Sequence, residues 1–213
     1  YPPFTSIDAN GELVGFDVDI ARAICAAMQR ECTFVAQDWD GIIPGLVNGK
    51  YDMIVSSMSI TDERRQTIDF SDPYYSNYLV RVAPDGSKLD PEVLGDATIG
   101  AQRSTLGSQW AEDTYGRRSD IRLYDTQTAA VADLTSGRIE VLVSDYLVAE
   151  EWLSANPGYA ILGERIDVGD KIGVGIRQGE EGLREAVNAA IAAIREDGTY
   201  LEISKRYFGV DIF

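Results

Sequence analysis

Twice in this chain a short apolar run stops at a cluster of hydroxyl residues from which a helix begins: "YDMIV" runs into "SSMSITDERR", and "TIGAQ" runs into "RSTLGS". An apolar run of this length, β-branched toward its end, predicts a buried strand. Thr61 followed by Asp62 and Glu63 predicts an N-cap with acidic first-turn residues, so Arg64 projects from the first turn of a new helix. Strand, polar loop and helix start, in that order, describe the carboxyl edge of an open α/β sheet, where backbone N–H groups converge and small ligands bind. Taken alone, the segment also fits a capped helix with a surface arginine.

These two sites, at 56–64 and 101–106, sit in a longer rhythm. A helix near 17–29, a strand at 32–37, a helix at 41–48 ending at Gly49, a strand at 51–56 and the helix from Thr61 form one run. "FSDPYYSNYLVRVAPDG" interrupts it, rich in aromatics, Ser, Asn and Pro, and reads as a segment crossing between lobes. The rhythm restarts with "TIGAQ", helices around "QWAEDTYG" and "TQTAAVADLTSG", and the strands "IEVLVSD" and "KIGVGIR". An amphipathic helix with Leu183, Val187, Ile191 and Ile194 on one face follows, then a last helix over Tyr200–Phe208. Alternating strands and helices imply an α/β fold with mostly parallel sheets. At 213 residues the chain has room for one large domain or two lobes.

The net charge is −16 with the acids dispersed, which makes nucleic acid and anionic membranes poor partners. No apolar run approaches the roughly 18 residues of a membrane span. With no histidine, the Ser-His and Cys-His nucleophile pairs are absent, as is the commonest metal ligand. Cys25 and Cys32 are too few for an all-cysteine zinc site. On one continuous helix they would stand about 10.5 Å apart along the axis, beyond the reach of a bridge, so a disulfide requires the helix to end between them. A bridge there contributes about 2.5 kcal/mol and implies an oxidising compartment; two buried free thiols are the alternative. No signal peptide is present in the chain, so export implies a leader already removed.

The segments "YPPF", "GELVGFDVDIARAI", "DWDGIIPGL", "SSMSITDERRQTIDFSDPYY", "AQRSTLG", "DLTSGRIEVLVSD", "VGIR" and "REDGTYLEISKRYFG" together resemble the extracytoplasmic amino-acid-binding proteins of ABC importers. The likeness is closest to the lysine/arginine/ornithine- and histidine-binding group and runs from Tyr1 to Phe208. It implies a two-lobed periplasmic-binding-protein (type II) fold with the ligand in the interlobe cleft. Lobe one would take 1–76 and 175–213 and lobe two 77–174, with hinge strands near 75–79 and 172–175. It implies a Cys25–Cys32 disulfide, as in that group. It further implies a monomer outside the cytoplasm that hands its ligand to a membrane permease, with no cofactor, metal or catalytic residue.

By the same resemblance, Arg64 takes the carboxylate of an α-amino acid, aided by backbone N–H groups of Ser59 and Thr105. Asp145, ending "VLVSD", takes the ammonium together with the Ser57 carbonyl and the Ser59 hydroxyl. Tyr1 and Trp39 match the two aromatics that sandwich the ligand side chain, an arrangement suited to an aliphatic stem, a guanidinium or an imidazole. Ser56, Ala101 and Ser104 match other lining positions. Ala101 stands where the group commonly has leucine, and Arg103 and Leu106 also depart from its pattern, which implies a roomier distal pocket. The family's first strand normally precedes the "YPPF" aromatic and carries an acidic residue that reads a cationic ligand end. Two other functions sit on the same scaffold: a cyclohexadienyl-dehydratase-type enzyme and the sensor domain of an amino-acid receptor.

Overall fold

The computed structural model describes Tyr1–Phe213. The chain builds β1 (Ser6–Ile7), β2 (Leu13–Val14), α1 (Phe16–Ala27), a 3-10 turn (Trp39–Gly41), α2 (Ile42–Val47), β3 (Met53–Ile54), α3 (Asp62–Arg65) and β4 (Ile68–Ser76). It continues with β5 (Leu79–Pro84), β6 (Thr98–Gln102), α4 (Leu106–Tyr115), β7 (Asp120–Tyr124), α5 (Gln127–Thr135), β8 (Val141–Asp145), α6 (Tyr146–Ser154) and β9 (Tyr159–Ile161). β10 (Lys171–Arg177), α7 (Glu181–Glu196) and α8 (Thr199–Phe208) complete it. Two compact units result: Pro2–Ser76 with Asp170–Phe213, and Asn77–Gly169 with Tyr1.

In the first unit β10 lies between β3 and β4 and runs antiparallel to both, with Gly175 opposite Ile54 on one side and Phe70 on the other. The ladder to β4 shifts register around Gly173, where a Cβ would stand 2.8 Å from the Ile60 side chain. Lys171 already pairs with Ser76, so residues 170–174 group with this unit and not with 77–174. Ile42, Leu46, Ile54, Met58, Ile68 and Phe70 form one core. A second is aromatic: the Phe16 ring meets Phe4, Tyr75, Tyr200 and Phe208 edge-on, and Phe4 stacks on Tyr75 at 5.4 Å. α1 starts where it does because Gly15, at φ 132°, brings the backbone against Phe4; a Cβ there would lie 2.2 Å from the Phe4 carbonyl oxygen. α7 buries Val187, Ala190, Ile191 and Ile194, and Leu183 is half-buried.

Cys25 and Cys32 are bridged, with Cα atoms 6.1 Å apart, and α1 ends between them at Ala27, after which Gln29 turns left-handed. The strand expected at 32–37 does not form. No neighbouring strand offers it a ladder, Phe34 and Val35 are exposed, and the Arg22 guanidinium lies over the Phe34 ring. The strand expected at 51–56 shrinks to β3 for the same reason, since only Met53 and Ile54 have partners on β10.

The second unit holds a five-stranded sheet in the order β7-β6-β8-β5-β9. Parallel pairing occupies β7-β6-β8, where α4 and α5 supply the crossovers. β5 enters from the other unit and runs antiparallel to β8 and β9. The aromatic segment that interrupted the rhythm is therefore two strands, β4 and β5, with the unit boundary at Ser76/Asn77 between them. β7, α6 and β9 carry no pattern that sets them apart in the sequence. β7 and β9 are short edge strands with no fully buried residue.

Candidate ligand-binding site

The loop leaving β3 carries the first set of expected residues. Ser56 is half-buried beside the turn. Ser57 is buried and left-handed at φ 48°, a conformation a serine holds only when its surroundings impose it. Here they do: its hydroxyl donates to Asp17 Oδ2 (2.8 Å) and its N–H to the Tyr74 hydroxyl (3.2 Å), which itself donates to Asp17 Oδ1 (2.7 Å). Asp17 is fully buried, and loss of water pushes its carboxyl up to about 7 despite these donors.

Ser59 bridges Ile172 in the pattern where the Ile60 N–H reaches the Lys171 carbonyl and the Gly173 N–H reaches Met58. In such a pair the central residue's own N–H and C=O point away from the partner strand. Arg64 stands on that side: its Nη1 donates to the Ser59 carbonyl (2.8 Å), and its guanidinium lies 5.3 Å from the Trp39 ring centre. The helix start that aims it is as the sequence predicts, with the Thr61 hydroxyl accepting from the Arg64 N–H at 3.2 Å. A carboxylate arriving there meets a planar fork of donors and a backbone N–H on one side. The Ser59 hydroxyl donates to Asp170 Oδ2 (3.2 Å), which leaves its oxygen lone pairs to accept.

The second unit positions Asp145 at the end of β8 and the start of α6. Its side chain makes no cap to the helix. Instead Asn77 Nδ2 donates to Oδ1 (2.8 Å) and the Tyr1 hydroxyl donates to Oδ2. A carboxylate so held has a fixed direction, which suits an ammonium partner.

Thr105 differs from expectation. It is the N-cap of α4 in a capping box: its hydroxyl accepts from Ser108 N–H (3.0 Å) and its own N–H donates to Ser108 Oγ (3.2 Å). The donor expected to face a ligand is thus engaged within the cap. Ser104, left-handed at φ 58°, is exposed beside it. Ala101 is not a lining residue by its side chain: it is fully buried among Ile99, Ala111, Val141 and Val143, on the inward face of β6.

Asp17, Tyr74, Asn77 and Asp170 were not singled out from the sequence. For Asp17 a signal existed, because it shares a helical face with Ile20, Ala21 and Ile24, and an acid on an apolar face demands partners. For Asn77 and Asp170 nothing local distinguishes them. No cluster of three or more His, Cys, Asp or Glu side chains is arranged to hold a metal ion. No helix is long and apolar enough to cross a membrane.

The model of the bacterial extracellular solute-binding proteins, family 3, matches residues 1–210. The chain is 38% identical over 212 residues to the ABC transporter arginine-binding protein 1 of Escherichia coli, covering 98% of this chain and 87% of that protein. It is 35% identical over 223 residues to the lysine/arginine/ornithine-binding periplasmic protein of the same organism, covering 100% of this chain and 86% of the other. An ancestral arginine-binding protein bound to glutamine superposes with a TM-score of 0.91 at 35% identity, over 98% of this chain and 94% of that one. An ancestral amino-acid-binding protein described as a precursor of cyclohexadienyl dehydratase gives 0.89 at 30% identity, over 98% and 91%.

Proposed function

Because the chain belongs to family 3 of the bacterial extracellular solute-binding proteins, we propose that it is the substrate-binding component of an ABC transporter, capturing a basic L-amino acid and delivering it to a membrane permease from outside the cytoplasm. The observation that carries this reading is Arg64, held by the Ser59 carbonyl and the Trp39 face on the side to which Ser59 directs its own N–H. That arrangement receives an α-carboxylate. Ser57 C=O, Ser59 Oγ and Asp145 take the ammonium, Trp39 and Tyr1 the side chain, and Ser56 and Ser104 the margins.

The relatives named for arginine, lysine and ornithine support a cationic side chain, and arginine is the first ligand to test. Calorimetry with L-arginine, L-lysine, L-ornithine, L-histidine and L-glutamine checks the reading. Saturable one-to-one binding of at least one basic member is expected, and no heat from any of them refutes it. A dehydratase role is the second reading, favoured by a neighbour described as a precursor of such an enzyme. Incubation with arogenate or prephenate decides it, and unchanged substrate excludes it.

A further inference from the structure

We propose that Asp17 is a positioning residue for the ligand: its buried carboxylate locks Ser57 in the left-handed conformation that aims the Ser57 carbonyl and the following Ser59–Arg64 segment. This rests on the amino-acid-binding reading above. Of the residues assigned to the ligand, Asp17 holds Ser57 by a hydrogen bond, and it is wholly sealed from water. Each of its two oxygens accepts one hydroxyl proton, from Ser57 and from Tyr74, and Tyr74 in turn accepts the Ser57 N–H. The triangle grips Ser57 at both its backbone and its side chain. It closes only when Asp17 is ionised, because a protonated carboxyl must donate one hydrogen bond, and Ser57 or Tyr74 then has to turn its own proton away.

The ionisation state of Asp17 is open to change near neutrality, since burial lifts its carboxyl to about 7. The groups facing it are Tyr74 on β4, Ser57 after β3 and, at longer range, Tyr200 on α8 and the chain's amino terminus. Burial holds both tyrosines well above their ordinary range, so they stay protonated there. There is no histidine in the chain to titrate in the same interval.

The test is the pH dependence of L-arginine binding, by calorimetry from pH 5.5 to 8.5, for wild type and Asp17→Asn. If the protonated form positions Ser57 less well, wild-type affinity falls as pH drops through the carboxyl's titration point and levels off below it, about tenfold weaker in all. Asp17→Asn imitates the protonated form, so it binds roughly tenfold more weakly than wild type at pH 8, shows no such slope, and converges with wild type at pH 5.5. Equal slopes in the two proteins overturn the proposal.

A second readout needs no ligand. In the free protein at pH 8, hydrogen exchange at the Ser57 amide should quicken at least tenfold in Asp17→Asn while the melt stays cooperative, and unchanged exchange also overturns the proposal. Failure of wild type to bind arginine at any pH therefore counts against the function assigned above, and exchange still decides the role of Asp17. Should Asp17→Asn not fold, Ser57→Ala removes the hydroxyl whose hydrogen bond Asp17 accepts. It is expected to weaken binding at pH 8 and lose the slope, and wild-type behaviour from it overturns the proposal.

Discussion

Replacing Arg64 by methionine should abolish binding and leave the fold standing. The side chain is half-buried on a four-residue helix whose cap, the Thr61 hydroxyl, receives the Arg64 backbone N–H and survives the change. The fold loses the 2.8 Å bond to the Ser59 carbonyl and the 5.3 Å contact with the Trp39 ring. Together these are about 1–2 kcal/mol at a half-exposed position. Binding loses far more, because the ligand carboxylate leaves water without its charge partner. Breaking a buried pair costs about 3–5 kcal/mol, or roughly 10²- to 10³-fold in Kd at 1.4 kcal/mol per tenfold. Calorimetry with L-arginine measures the loss. Agmatine, which lacks the carboxylate, should bind wild type poorly and lose much less on the same substitution, separating a lost carboxylate contact from general damage. Binding of arginine to Arg64→Met within about threefold of wild type would refute the reasoning and return Arg64 to an ordinary surface arginine at a helix start.

Asp145→Asn keeps the shape that Asn77 and Tyr1 hold but removes the charge; L-arginine affinity should fall by about 2–3 kcal/mol with little change in melting temperature, and unaltered affinity counts against the ammonium role. Thiol labelling of the unreduced, denatured protein should find no free cysteine, and Cys25→Ser with Cys32→Ser should cost about 2.5 kcal/mol in urea unfolding. Ala101→Leu should destabilise by about 1–3 kcal/mol through overpacking of a fully buried site; an unchanged melt would put Ala101 back on an open surface. The raised Asp17 carboxyl makes the folded state bind one more proton than the unfolded state between 3.8 and about 7. Stability from this group is therefore fully present below pH 3.8 and is lost as pH rises through about 7. The slope is at most about 1.4 kcal/mol per pH unit. Wild type should melt higher at pH 5 than at pH 8, and Asp17→Asn should not show this difference.

Features that depend on a few consecutive residues were open to reading. The Thr61 cap spans three positions, and its hydroxyl and the acids after it announce the helix that carries Arg64. The Cys25–Cys32 bridge spans seven, and it was permitted because the helical spacing of Ile20 and Ile24 lapses before Cys32. The place where the chain passes from one unit to the other lies inside the aromatic stretch that broke the strand-and-helix rhythm.

What the tertiary structure decided is everything that needs a partner from far along the chain. Residues 32–37 have the composition of a strand, but a strand exists only against a neighbour, and none lies beside them. Ala101 follows the alternation of β6, and only the packing of α4 and β8 makes its side the inside. Ser57 is left-handed because Asp17, 40 residues away, and Tyr74, 17 away, hold it there against its own preference. Asp145 is aimed by Asn77 and Tyr1, 68 and 144 residues distant. Local propensity fixes where helices start, because caps and turns are settled among neighbours. The direction of a binding group is set by hydrogen bonds and packing that form only after the chain has closed on itself, and those contacts leave no mark on the residues adjacent to it.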